Sequence, residues 1–313
     1  MFSLDPAVLA FIEAAEHQGR IPFEHQTPIQ ARKAYRASCA LTGPLPCAMA
    51  AVQNGLLAGT QIAYRMFRPN GSEVLPALVY LHGGGWVVGD LDTHDGVCRR
   101  LAVESGCAVL AIDYRLAPEH EFPAAFDDAL LAWRAIGEQA PALGLDPTRL
   151  GLAGDSAAAA LVASLALACR GNAQLKQPRC QLLFYPVTDL AADSGSYAEP
   201  LERVFLTANT MHWFRAHYAP DPDSWSDWRA SPLCAEDLQG LPPSWVLTVG
   251  HDPLRDEGMA YAWRLAEAGN LVCHLHLPDQ MHGLLTQSRV LPAGDSVFAQ
   301  AAAFARQHLL PRP

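Results

Sequence analysis

The sequence lacks most of the features with which proteins bind nucleic acids or metals. Its 313 residues include 22 Lys and Arg against 32 Asp and Glu, a formal charge of -10, so the clustered positive charge that nucleic acids and anionic membranes require is missing. None of the eight cysteines forms a CxxC pair, and no HExxH motif is present. We therefore expect no nucleic-acid partner, no metal and no organic cofactor, and a small uncharged organic molecule fits better.

Targeting signals are also scarce. The first 20 residues lack a basic n-region and carry Asp5, Glu13 and Glu16 within the apolar stretch, which is not the pattern of a secretory signal. No apolar run reaches the roughly 20 residues that a membrane helix needs. The scattered cysteines are typical of buried free thiols. These features predict a cytoplasmic protein without stable membrane association.

Half of the residues are hydrophobic, and many lie in short apolar runs that alternate with helical stretches. The runs predict strands at 76–82, 107–113, 149–155, 180–186 and 245–250, and an alternating strand at 271–277 near an edge. The stretches between them predict helices at 92–105, 123–138, 157–170, 256–268 and 296–309. Such a pattern indicates an α/β protein with a parallel sheet covered on both faces. A further strand at 60–68, followed by an Asn-Gly turn signal, predicts an antiparallel start.

Two segments depart from this rhythm, residues 1–45 and residues 190–225. Both look helical, and neither is long enough to form a domain alone. We therefore expect one core domain at 46–313 and an N-terminal helical lid at 1–45, to which 190–225 contributes.

Ser156 lies in the sequence GDSAA, where a predicted strand meets a predicted helix. A nucleophilic serine needs such a sharp turn, with small residues around it and free helix N–H groups nearby. A serine in this place can equally be the N-cap of the following helix. This stretch alone favours neither interpretation.

A second feature is the sequence HGGGW at 82–86, which follows a strand. Its glycines allow the backbone to approach a substrate and to point N–H groups inward, as in an oxyanion hole. A phosphate loop is the alternative, but no GK[ST] or GxGxxG pattern follows. His82 itself fits a structural, hydrogen-bonding role.

Asp252 and His282 each follow the end of a predicted strand, the edge at which open α/β sheets place their ligands. The order Ser156, Asp252, His282 is the order of nucleophile, acid and base in α/β hydrolases. The competing residues fit other roles: His274 and His276 lie within a strand, His251 precedes the acid, Asp256 opens a helix, and Asp279 is close to the histidine in sequence.

Taken together, HGGGW at 82–86, DYRLAPEHEFPAA at 113–125, GDSA at 154–157, DPLRDEG at 252–258 and MHG at 281–283 resemble the hormone-sensitive-lipase-like esterases. The resemblance implies an α/β-hydrolase fold, with a mostly parallel twisted sheet of about eight strands flanked by helices and a helical cap. It also implies an oxyanion hole of Gly84, Gly85 and Ala157, with Gly83 shaping the loop. The sequence departs from the family's GDSAGG at Ala158 and Ala159. We interpret 113–125 as a buttressing loop.

The expected activity is that of a carboxylesterase, which hydrolyses short- to medium-chain uncharged esters through an acyl-serine intermediate. An amidase, lactonase or deacetylase with the same triad stays open, as does a non-catalytic small-molecule receptor on this fold. Trp86, Phe205, Leu206 and Met211 are expected to line the substrate pocket. Phe205 and Met211 form an apolar cluster with Trp213 and Phe214, and packing of this cluster on the core explains it equally well. The strand at 271–277 offers an edge for a homodimer.

Overall fold

The computed structural model describes residues 3–193, 195–199, 201 and 203–311, and at its centre lies an eight-stranded sheet. The described strands are β1 Ala51–Leu56, β2 Ala63–Arg68, β3 Leu75–Leu81, β4 Ala108–Asp113, β5 Leu145–Asp155, β6 Gln181–Phe184, β7 Ser244–His251 and β8 Val272–Met281. Their order is β1-β2-β4-β3-β5-β6-β7-β8. The two contacts of β2 are antiparallel and the rest are parallel. The antiparallel start and the edge position of β8 are confirmed.

Helices cover both faces of this sheet. The described α-helices are α1 Pro6–His17, α2 Pro28–Thr42, α3 Asp95–Ser105, α4 Ala124–Gln139, α5 Ala157–Cys169, α6 Ala208–Tyr218, α7 Arg255–Glu267 and α8 Ala293–Leu309. Buried residues of α4, α5 and α7 form one core cluster, and those of α1, α3 and α8 form another. Within β3, Val79 belongs to the first cluster and Leu78 and Tyr80 to the second. This alternation places one core on each side of the sheet.

Helix α5 is buried on nearly every side, and it is built largely of alanine. Small side chains let the helix lie close to β5, from which it emerges. A Cβ added to Gly154 would lie 2.9 Å from the carbonyl oxygen of Ala158 and 3.0 Å from Cγ2 of Val162. The glycine two residues before Ser156 is therefore required by this close packing.

The N-terminal segment lies against the loops at the carboxyl ends of the strands. From α2, the Arg32 side chain donates to the carbonyl oxygens of Val87 and Ala117, each at 2.8 Å, and pairs with Glu119. Helix α6 joins the same layer, because Thr210 Oγ1 donates to Glu24 Oε2 at 2.7 Å.

The segment 190–225 is less helical than expected. Only α6 is an α-helix; Gly195–Ala198 and Pro222–Ser224 are single 3-10 turns, and residues 194, 200 and 202 lie outside the described part. In the described part of the chain, no helix combines the length and apolar character needed to cross a membrane.

Candidate active site

Ser156 occupies a strained turn between β5 and α5. Its φ and ψ are 57° and -126°, values that L-residues adopt rarely and mostly at functional sites. Although Ser156 immediately precedes α5, its side chain makes no capping hydrogen bond. Instead, Ser156 Oγ lies 2.8 Å from Nε2 of His282. The interpretation of this serine as a helix cap is therefore wrong.

His282 and Asp252 continue this line of hydrogen bonds. Nδ1 of His282 lies 2.7 Å from Oδ2 of Asp252, and the other carboxylate oxygen accepts the N–H of Leu254 at 2.9 Å. Asp252 is 1% exposed and follows β7, whereas His282 is 9% exposed and follows β8. Two neighbouring parallel strands thus deliver the acid and the histidine to the edge where Ser156 lies.

The HGGGW loop passes beside this serine. Gly84 and Gly85 have φ values of +127° and +58°, and both contribute to the wall of the cavity that contains Ser156. Ala157 is the first residue of α5, so its N–H has no partner within the helix. Gly84, Gly85 and Ala157 thus lie beside Ser156 at the same edge of the sheet.

Asp155, which the sequence analysis did not select, anchors the loop. It is 3% exposed, and its Oδ1 accepts the Tyr80 hydroxyl at 2.7 Å and the Gly83 N–H at 2.9 Å. Nε2 of His94 lies 3.2 Å from the same oxygen. Burial acts to raise the pKa of Asp155, but the interaction with His94 and the hydrogen bonds from Tyr80 and Gly83 outweigh it and hold the pKa below its ordinary value. The sequence could have pointed to Asp155, because it is a charged residue at the end of a buried strand and directly precedes the serine.

The sequence DYRLAPEHEFPAA forms a buttress, as interpreted. The Tyr114 hydroxyl donates to the His82 carbonyl at 2.5 Å, and the Ala117 N–H donates to the Trp86 carbonyl at 2.8 Å. Arg115 pairs with Asp128 at 2.7 Å. Tyr114 and Ala117 thus hold the two ends of the HGGGW loop, and Arg115 joins the segment to α4.

His82 also has a structural position. Its ring stacks on Tyr114 with centroids 4.4 Å apart, and its Nδ1 lies 3.0 Å from the Gly83 carbonyl oxygen. Burial, with a smaller contribution from the nearby His94, lowers the pKa of His82 to about 4. The ring is therefore neutral at ordinary pH.

Three residues that were alternatives to His282 or Asp252 make contacts of a different kind. His274 and His276 both lie within 2.9 Å of Thr248 Oγ1, on the edge strand β8. Asp256 is in the first turn of α7 and pairs with Arg255 at 2.8 Å. In the described ranges, no cluster of three or more His, Cys, Asp or Glu could hold a metal ion.

A cavity of about 140 Å³ lies above Ser156 and His282. Phe205, Leu206 and Phe214 line it, as the sequence analysis expected, and Phe23 joins them. Three expectations need correction, since Trp213 is absent from the described lining and two further residues lie in the core. Trp86 is fully buried, with its ring stacked on Tyr218 at 4.1 Å, and Met211 is a core residue 5% exposed; neither belongs to the described lining. Phe23 was missed because it comes from the N-terminal segment, 133 positions before the serine in the chain.

Known proteins share this arrangement of sequence and fold. A family model described as alpha/beta hydrolase fold matches residues 78–286. The chain is 36% identical to ethyl acetate hydrolase of Pseudomonas putida, over 98% of this chain and 100% of that protein. It is 41% identical to carboxylesterase NlhH of Mycobacterium tuberculosis, over 75% of this chain and 74% of that protein.

Solved structures agree. An alpha/beta hydrolase enzyme from the metagenome of Lake Arreo, crystallised as a Ser161Ala mutant, superposes with a TM-score of 0.92 at 42% identity, covering 97% of this chain and 98% of that one. A hyperthermophilic esterase from Pyrobaculum calidifontis gives a TM-score of 0.90 at 34% identity, with 98% and 99% covered. The similarity therefore extends over nearly the whole chain.

Proposed function

Because this chain belongs to the alpha/beta-hydrolase family of hormone-sensitive-lipase-like esterases, and is thus a carboxylic ester hydrolase, we propose that Ser156, His282 and Asp252 are its catalytic residues. The observation that carries this proposal is the line of two short contacts, 2.8 Å from Ser156 Oγ to His282 Nε2 and 2.7 Å from His282 Nδ1 to Asp252 Oδ2. This line ends in a cavity large enough for a small ester.

In the proposed reaction, Ser156 Oγ attacks the ester carbonyl carbon while His282 Nε2 takes the hydroxyl proton. Asp252 keeps the imidazole in the required tautomer and stabilises its charged form. The N–H groups of Gly84, Gly85 and Ala157 stabilise the oxyanion. His282 then gives its proton to the leaving alcohol, and a water molecule, activated by the same imidazole, releases the acid from the acyl-serine.

The substrates we propose are uncharged esters of short to medium acyl chain. The cavity holds about 140 Å³, and Phe23, Phe205, Leu206 and Phe214 supply an apolar wall. Burying a methylene against such a wall contributes about 0.8 kcal/mol, until the chain outgrows the space. In this proposal the segments 1–45 and 190–225 together form the cap that sets this limit.

Labelling with a phosphonate ester tests the nucleophile directly. The adduct should map to Ser156, and Ser156→Ala should lower kcat on a nitrophenyl ester by on the order of 10⁶-fold. Ser164→Ala is the matched control, since Ser164 lies on the same helix but donates to the Trp228 carbonyl at 2.9 Å, away from the cavity. Unchanged turnover in Ser156→Ala would contradict the assignment.

Assembly and location complete the proposal. The outer edge of β8 has no paired strand in the described sheet, and we propose that a second copy pairs there; light scattering should then give twice the mass of the chain.

The eight cysteines are free thiols, which suits the reducing cytoplasm. Fractionation of the native host tests that location.

A further inference from the structure

Glu257 is a buried carboxylic acid that the proposed reaction does not use. It lies in the first turn of α7, shortly after Asp252 in the chain, and it is 3% exposed. Burial, with smaller contributions from the carboxylates of Asp189 and Asp252, raises the pKa of Glu257 well above its ordinary value. The uncharged form of this group is therefore favoured.

The carboxyl group of Glu257 binds the loop that follows β6, residues 185–189. Its Oε1 accepts the N–H of Thr188 at 2.7 Å and the N–H of Asp189 at 3.2 Å. Its Oε2 is buried and has no hydrogen-bond partner among the residues that the structure describes. The next residue, Gly258, lies beside the same loop, since an added Cβ would be 3.5 Å from Cδ of Pro186. Oε1 of Glu257 therefore makes the polar link between α7 and the loop.

The same loop holds the backbone of Ser156. The Val187 N–H donates to the Ser156 carbonyl oxygen at 3.2 Å, and the Ser156 N–H donates to the carbonyl oxygen of Phe184, the last residue of β6, at 2.8 Å. Val187 directly precedes Thr188, so two consecutive N–H groups bind Ser156 and Glu257. These contacts matter because Ser156 has a strained backbone conformation, which only the surrounding structure can maintain.

The start of α7 also orients Asp252. Oδ1 of Asp252 accepts the Leu254 N–H at 2.9 Å, and the Asp252 carbonyl oxygen accepts the N–H of Arg255, the first residue of α7, at 3.2 Å. The turn that fixes the carboxylate thus leads directly into the helix that carries Glu257. A second path of contacts therefore joins Asp252 to Ser156, in addition to the path through His282.

We propose that Glu257 is a positioning residue, which fixes the turn of Ser156 relative to Asp252 by binding the loop 185–189. This inference rests on the proposed function and adds a residue that acts through Ser156. Oγ of Ser156 lies 2.8 Å from His282 Nε2, and a displacement of about 1 Å lowers a rate by on the order of 10²-fold. Since Oε1 acts only as an acceptor, an amide oxygen should be able to replace it.

Two substitutions of Glu257 and one control test the proposal. Glu257→Gln keeps the acceptor oxygen, Glu257→Leu removes it at similar size, and Glu267→Leu is the matched control at an exposed position of the same helix. Steady-state kinetics on a nitrophenyl ester give kcat and KM, and urea denaturation gives the folded fraction by which kcat is divided. We expect Glu257→Leu to lower kcat about ten- to hundredfold with KM little changed, because the cavity keeps its lining. Glu257→Gln and Glu267→Leu should keep the wild-type kcat.

A wild-type kcat per folded molecule in Glu257→Leu, with a lower free energy of unfolding, would mean a structural role alone and overturns the proposal. An equal loss of kcat in Glu257→Gln and Glu257→Leu overturns it too, since the acceptor oxygen would then not be what matters. If Glu257→Leu does not fold, Glu257→Asp replaces it, because its carboxyl group is one methylene short of the loop; kcat should again fall, and a wild-type value overturns the proposal. The loss of turnover in Ser156→Ala reports the proposed function separately.

Discussion

Gly85 is the residue at which a single methyl group should disturb the active site most clearly. Its φ is +58°, and an added Cβ would lie 2.1 Å from Cδ1 of Phe214, whereas ordinary contacts begin at 3.4 Å. In Gly85→Ala, either the HGGGW loop or the phenylalanine ring must therefore move by more than about 1 Å. The backbone N–H stays in the variant, so only its position changes.

The loss of stability expected in Gly85→Ala has two separable parts. Alanine at a left-handed φ costs about 1–2 kcal/mol, and overpacking costs about 1–3 kcal/mol, so the free energy of unfolding should fall by about 2–5 kcal/mol. Gly59→Ala isolates the first part, because Gly59 has φ +76° and nothing within 4 Å of an added Cβ. Gly71→Ala carries neither part, since its surroundings are open, and it should stay within about 0.5 kcal/mol of wild type.

Urea denaturation and steady-state kinetics on a nitrophenyl ester provide the assay. Displacement of the loop by about 1 Å should lower kcat by on the order of 10²-fold in Gly85→Ala. Phe214→Ala removes the ring that is in the way, so the double variant should lose less stability than the two single variants added together. Wild-type kcat in Gly85→Ala, with stability no lower than that of Gly59→Ala, would refute this reasoning.

Three further outcomes are expected. Asp252→Asn should lower kcat by on the order of 10⁴-fold, because an amide no longer stabilises the charged imidazole of His282; circular dichroism checks that the fold is kept, and near-normal kcat would speak against Asp252 as the acid. Burial lowers the pKa of His82 to about 4, so between pH 6.5 and 4 the unfolded chain binds a proton that the folded protein does not. As the pH drops from 6.5 to 4, the free energy of unfolding should therefore fall by up to about 3 kcal/mol, whereas above pH 6.5 this stability is fully present. His82→Gln should show a shallower fall of the free energy of unfolding with pH in urea titrations. An equal fall in the variant and wild type would contradict the lowered pKa of His82. Gly154→Ala should lower the free energy of unfolding by about 1–3 kcal/mol, since its methyl would lie 2.9 Å from the Ala158 carbonyl oxygen. Ala158→Gly should lower it by about 1 kcal/mol or more, through helix propensity and the loss of a buried methyl. A denaturation midpoint of Gly154→Ala equal to that of wild type would show that the contact relaxes freely.

Local sequence patterns predicted the inner part of the sheet well, because strands such as β3, β6 and β7 are buried on both faces. Every residue of β3 is buried, and its sequence, LPALVYL, carries no charged side chain. Ser156, Asp252 and His282 were found for a related reason: each stands shortly after the end of a predicted strand. The structure brings these three side chains together, as the sequence analysis expected.

Other features depend on contacts between distant segments, which no local pattern encodes. Strand β1, with the sequence AVQNGL, was missed because half of its residues are exposed and its Asn-Gly pair is typical of a turn. Its existence depends on pairing with β2. The aromatic character of Trp86 was visible, but the direction of its ring was not, because the partner Tyr218 lies more than a hundred residues away. The anchoring role of Asp155 likewise needed Tyr80 and His94 in space.

The residues that line the cavity come from two parts of the chain, one inside and one outside the matched family model. The matched family model spans residues 78–286, which contain the serine, the acid and the histidine, whereas Phe23, Tyr35 and Ser38 lie ahead of it. Arg32 joins this leading stretch to the carbonyl oxygen of Val87, directly after the HGGGW loop, and to Ala117 and Glu119 of the segment 113–125. Exchange of the first 45 residues among relatives that keep these contacts should therefore replace the part of the cavity lining that Phe23, Tyr35 and Ser38 supply, while Phe205, Leu206 and Phe214 stay in place.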